Sequence, residues 1–125
     1  METAFQSFRQ FFRYPIVKGG GEVATNPRIY TASGAIAITP GLHLLQGAGP
    51  LLMTLAQPTA AQEGMILTIY NSTAAAHTVT AAGGFGGGGP TADRAVFPAG
   101  FKAGIVLMAV SLHWTVLGQN GLLFD

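Results

Sequence analysis

The sequence predicts a mainly β fold: a compact antiparallel sandwich or barrel, preceded by an N-terminal arm that is helical or extended. Three observations carry this. From about residue 34 onward, short runs rich in Ile, Val, Leu and Thr recur at regular spacing. Turn-forming Gly, Pro, Asn or Ser closes each run. Between the runs there is no room for the helices that βαβ crossovers require. The expected division is an arm and linker over 1–33 and a β domain over 34–125.

The arm comes first. Phe5, Phe8 and Phe12 recur at i, i+3 and i+7, the aromatic stripe of a short amphipathic helix over residues 1–14. Gln6, Arg9, Gln10 and Arg13 occupy much of the remainder, Phe11 widens the apolar side, and Tyr14-Pro15 ends the pattern. Such a helix packs on its own domain, docks in a partner's groove or lies on a membrane surface; two arginines are few for the last. The expected partner-binding residues are Phe5, Phe8, Arg9, Phe11, Phe12 and Arg13. Residues 15–33 read as a connector, with Gly19-Gly20-Gly21 for flexibility and Asn26-Pro27 as a turn.

Strands are then expected near residues 35–38, 42–45, 51–55, 65–70, 78–81, 94–97, 104–110, 114–117 and 122–124. Asn120-Gly121 is the dipeptide of a type I′ hairpin and is expected to join the strand of Trp114 to the last one. Trp114, Phe97 and Phe124 are the aromatics expected in the core or at a subunit interface. The run Gly83–Pro90 reads as a loop, since so many glycines lose too much entropy to hold a packed strand. No internal repeat of solenoid length is visible.

Composition bears on function. Charged residues make up only 9% of the chain and hydrophobic ones 49%, against roughly 25% charged in an ordinary soluble domain. Too few solvating groups remain to cover a monomer, which points to burial against other subunits. The net charge of +1 offers no field for nucleic acid or an anionic membrane. Arg9, Arg13, Lys18 and Arg28 cluster early, so the β body is nearly chargeless. There is no cysteine, hence no disulfide staple or thiolate metal site. No apolar run reaches the roughly 18–20 residues of a membrane span. The residues from Phe5 to Tyr14 lack the continuous apolar core of a signal peptide, so synthesis in the cytoplasm is expected.

Motifs for chemistry are sparse. Gly84-x-Gly86-x-x-Gly89 matches the dinucleotide fingerprint only in spacing, because Pro90 follows where a helix would have to start. His43, His77 and His113 have no paired metal-ligand spacing and read as strand or turn histidines. Of the five carboxylates Glu2, Glu22 and Asp125 lie in terminal or linker positions, which leaves Glu63 and Asp93, each beside a turn, and no nucleophile elbow is present. Neither a catalytic site nor a cofactor or metal site is expected. Asn71-Ser72-Thr73 reads as a turn between strands rather than a glycosylation site.

The segment from Ile38 to Phe124 resembles a β module of bacteriophage virion proteins, found in head decoration proteins and trimeric fibre domains. The resemblance is carried by Ile38-Thr39-Pro40-Gly41, Thr54-Leu55-Ala56-x-Pro58-Thr59, Gly64-x-Ile66-Leu67-Thr68-Ile69 and Ala76-His77-Thr78-Val79-Thr80. Ala95-Val96-Phe97, Ile105-Val106-Leu107-Met108-Ala109, His113-Trp114-Thr115-Val116 and Gly121-Leu122 continue it. It implies a structural virion protein: a capsid decoration or cement protein that forms a homotrimer and binds the major capsid protein at the capsid surface. A tail-fibre or receptor-binding module is the alternative. In such modules the histidine phrase is structural, and residues 1–33 have no counterpart.

Overall fold

A computed structural model describes residues 27–86, 93–100 and 102–125. Ten strands are found among them: β1 (Arg28–Tyr30), β2 (Gly34–Ala35), β3 (Gly41–Leu45), β4 (Leu51–Thr54), β5 (Ile66–Asn71), β6 (His77–Thr80), β7 (Arg94–Phe97), β8 (Gly104–Val110), β9 (His113–Asn120) and β10 (Leu123–Phe124). A 3-10 turn at Ala60–Gln62 is held by Gln62, whose side-chain oxygen accepts the Thr59 N–H at 2.8 Å. β1 falls inside the stretch read as a connector, so strand pairing begins at Arg28.

Strand residues alternate with the period of two that one buried face dictates. In β8, Ile105, Leu107 and Ala109 point inward while Gly104, Val106 and Met108 do not; β4 and β6 follow the same rule. The inward side chains merge into one core between two five-stranded sheets. Sheet A has the order β1-β3-β5-β8-β9 and sheet B the order β10-β7-β6-β4-β2.

The protein is mainly β, as the patterning predicts, but the expected antiparallel arrangement and the barrel alternative are both corrected. Each sheet is mixed, and the two do not close on one another. From β1 to β6 the chain alternates between sheets at every step, so β1, β3 and β5 pair in parallel, as do β2, β4 and β6. A parallel pair needs a long return connection, usually a helix. Here the strand of the opposite sheet makes that return, which is why the lack of room for helices did not exclude parallel pairing. His43 lies opposite Ile69 and Leu51 opposite His77, a step of 26 residues in both sheets. The chain therefore winds like a short coil, although no sequence repeat marks the turns.

Antiparallel pairing is confined to β6–β7, β5–β8, β8–β9 and β7–β10. The tight hairpin lies between β8 and β9, where Ser111 and Leu112 have φ of 52° and 69°. Asn120-Gly121 does not close a hairpin, since β9 belongs to sheet A and β10 to sheet B. Its Gly121, at φ 79°, turns the chain across the core instead.

Trp114, Phe85 and Phe97 are the largest fully buried side chains. Each contributes about 1.5–3 kcal/mol by leaving water. Trp114 also donates its indole N–H to the Ala56 carbonyl at 2.8 Å, so its one polar atom is satisfied. Phe124 is half-buried and meets Phe85 edge to face at 5.8 Å. Phe85, near the start of the glycine run, is fully buried and forms an isolated parallel bridge with Trp114, so this end of the loop is packed on the core.

Candidate assembly surface

The outward rows of sheet A follow from its register. One row runs Ile29, Leu44, Tyr70, Gly104, Asn120, and the next Leu42, Thr68, Val106, Gly118. Ile66, Met108 and Thr115 form a third, and Val110 with His113 the last. No Asp, Glu, Lys or Arg stands in any of these rows. Ile29 (54% exposed), Leu42 (41%) and Ile66 (44%) project into water, as does Leu117 (52%) on β9. Leu117 is the extra residue of an irregularity in the β8–β9 ladder, where Val106 pairs with Gly118 and Leu107 with Val116.

The charged side chains of the described residues lie elsewhere. Arg28 shares the row of buried His43. Glu63 precedes β5 and accepts the Ser111 N–H at 2.9 Å. Lys102 precedes β8. Arg94 and Asp125 form a two-pronged ion pair, both contacts at 2.8 Å, at the β7–β10 side of sheet B. The outward rows of sheet B are correspondingly mixed: Leu52, Thr78, Val96 and Leu123 in one, Ala35, Thr54, Thr80 and Arg94 in the other. Leu52 and Leu123 are exposed there but stand at opposite ends of their row, with Thr78 and Val96 between. Of the two faces, sheet A's is the continuous uncharged one.

Within it lies a hollow of about 240 Å³ over β5, β8 and β9, lined by Tyr70, Val106, Gln119 and Asn120 among others. Gly104 and Gly118 leave its floor without side chains. The two glycines differ in kind. A Cβ on Gly104 would come within 3.1 Å of the Tyr70 ring, whereas one on Gly118 would meet nothing within 4 Å.

The histidines take structural places. His43 is fully buried: its Nε2–H donates to the Thr39 carbonyl at 2.9 Å, and Nδ1 accepts the Tyr30 hydroxyl at 2.9 Å. The Tyr30 oxygen in turn accepts the Ala37 N–H. His77, also buried, accepts the Leu51 N–H at Nδ1 (3.0 Å) and meets the Thr73 hydroxyl at Nε2 (3.0 Å). Burial lowers the pKa of both, with Arg28 adding to the effect at His43 and the Thr39 bond opposing it. Each ring is thus held neutral with its proton on Nε2. His113 is exposed in the last row of sheet A's outer face.

The Asn71-Ser72-Thr73 turn is as the sequence predicts. Asn71 Oδ1 accepts both the N–H and the hydroxyl of Thr73, and Nδ2 donates to the Ala75 carbonyl at 2.8 Å. Asn71 is fully buried, so its amide is committed to the fold. Among the described residues no three His, Cys, Asp or Glu side chains gather into a metal-binding group. Glu63 and Asp93 precede strands of different sheets.

Of the residues singled out in the sequence, Trp114 and Phe97 lie wholly in the core, and Phe124 lies at its margin. Phe5, Phe8, Arg9, Phe11, Phe12 and Arg13 fall outside the described residues. Sequence reasoning did not find the face of sheet A or its glycine floor. Its trace was the uncharged run from Gly104 to Asn120 with glycine near each end. No known protein family and no curated protein matches the chain.

Proposed function

We propose that this chain is a structural assembly module, a virion protein of the capsid decoration or cement kind. In this reading it forms a homotrimer and binds the major capsid protein on the capsid surface. The observation that carries the assembly part is the charge-free outer face of sheet A, which exposes Ile29, Leu42, Ile66 and Leu117 on one side of the molecule. Such a face is stable in water only at the risk of indiscriminate association, and a defined partner removes that risk. The virion part is supported by the resemblance of Ile38–Phe124 to phage decoration and fibre modules, and by a composition poor in solvating charge.

The test is the mass of the purified chain, alone and mixed with empty phage heads. A trimer that sediments with the heads and raises their resistance to heat is expected. A monomer at every concentration that ignores the heads refutes the proposal. Deleting residues 1–26 asks what the aromatic arm does: attachment is expected to fail while the oligomer persists.

A further inference from the structure

We propose that Asn120-Gly121 is a site of spontaneous self-modification, at which the Gly121 backbone nitrogen closes on the Asn120 side chain and the amide becomes a carboxylate. The hairpin that this dipeptide suits is not formed, since β9 ends at Asn120 and the chain then crosses to the other sheet. Both residues are exposed. Among the described residues no group accepts the Gly121 N–H. Gly121 has a φ of 79° and no Cβ, so nothing beside its nitrogen shields the approach. Ring closure requires Asn120 to leave the extended conformation, and a strand end opens at little cost in free energy.

Water is the only co-reactant. The Gly121 nitrogen gives its proton to hydroxide and attacks Asn120 Cγ. A C–N bond forms, the Cγ–Nδ2 bond breaks, and the leaving nitrogen takes a proton from water to depart as ammonia. Water then opens the cyclic imide at either carbonyl, giving aspartate or isoaspartate; the latter carries an extra methylene in the main chain. The three asparagines of the chain separate the requirements. Asn26 precedes Pro27, which has no N–H to attack with. Asn71 precedes Ser72, whose N–H donates to the Leu45 carbonyl at 3.2 Å, and the Asn71 amide is buried and held by Thr73 and Ala75. Asn120 joins an exposed amide to an unhindered nitrogen. Its conversion sets a carboxylate at the hollow, near Tyr70 and Gly104, on a face whose rows hold no charged residue. The formal net charge falls from +1 to zero, so aged molecules differ from new ones in the field at that face.

The test uses the full chain, held in mildly alkaline buffer and sampled by peptide mass mapping and by labelling with an isoaspartate methyltransferase. An amide-to-acid mass gain is expected in the peptide of Asn120, divided between aspartate and isoaspartate and faster at higher hydroxide. Its rate in the folded protein is expected within about tenfold of that in urea, because the strand end opens readily. Folded Asn71 is expected to convert at least about a hundredfold more slowly than Asn120, since its amide is released only by a larger opening. Asn120→Gln, an exposed change that would have to close a six-membered ring, is expected to abolish the label. An Asn120 that stays an amide in the folded protein, whatever it does in urea, would overturn the inference. So would aspartate formed without isoaspartate, because direct hydrolysis leaves the main chain untouched, or a label that persists in Asn120→Gln. None of these results bears on the assembly reading, which the inference does not require.

Discussion

Acid weakens this fold through two histidines, and the effect can be sized from their contacts. His77 Nδ1 accepts the Leu51 N–H, so a proton added there displaces a buried hydrogen bond, whereas at His43 Nδ1 the Tyr30 hydroxyl can turn to accept and burial of the charge is the penalty. Both rings are buried, and both pKa values are lowered from 6.5, first by desolvation. The unfolded chain therefore binds these protons more readily than the folded one. The stabilising contribution is complete above pH 6.5, the ordinary value, and is lost as pH falls from there through the lowered folded values. Each histidine adds a slope of at most about 1.4 kcal/mol per pH unit in that window, so the pair adds at most about 2.7. Against a total stability of about 5–15 kcal/mol this is large. The assay is urea unfolding between pH 8 and pH 5, followed by emission of the single, buried Trp114. Ordinary carboxylates stay ionised over that range. His77→Gln is expected to halve the slope, whatever it does to stability at pH 8. A wild-type stability that is flat from pH 7.5 to 5.5, or an unchanged slope in the variant, would refute the reasoning.

Three further outcomes are expected. The Ser111-Leu112 turn holds two non-glycine residues at positive φ, so Ser111→Asn with Leu112→Gly should raise stability by about 1–2 kcal/mol and the melting temperature by several degrees; calorimetry reads this. Trp114→Phe strips the Ala56 carbonyl of its donor and leaves a void, at a cost of about 2–4 kcal/mol in denaturant unfolding followed by circular dichroism. Asn71→Ala removes the acceptor shared by the Thr73 N–H and hydroxyl and the donor to Ala75, for a loss of about 2–4 kcal/mol in the same assay. Asn71→Asp keeps the acceptor but sets a buried carboxylate oxygen against the Ala75 carbonyl, so it should lose at least as much at neutral pH.

How much was legible in the sequence depends on how local the determinant is. The strands from Gly41 to Phe124 follow from alternation and turn residues, both written in neighbouring positions. β1 was missed because Arg28–Tyr30 shows no pattern of its own; it is a strand through pairing with His43–Leu45. Parallel pairing was missed for a related reason. Nothing local in the arch from Leu45 to Leu51 distinguishes a crossing between sheets from a hairpin within one. Gly47 shows the constraint only in three dimensions, where a Cβ would come within 2.6 Å of the Leu51 side chain. The assembly surface is less legible still. Its uncharged composition is plain in the sequence, but that Ile29, Leu42, Ile66 and Leu117 share a face depends on register across five strands.

The coiled path of the first six strands bears on how the molecule can change length. From β3 to β5 and from β4 to β6 a step of 26 residues carries the chain once around the core and returns it in register, whereas Arg28 to His43 is a step of 15 and Gly34 to Met53 one of 19. Lengthening such a winding requires a whole further circuit, because a partial one would turn core residues outward and surface residues inward. A duplicate of residues 41–66 is the natural unit for it, widening both sheets by one strand each. Insertions of a few residues belong in the arches, where they alter neither register. The fold thus grows by whole circuits, although the length of a circuit differs from one to the next.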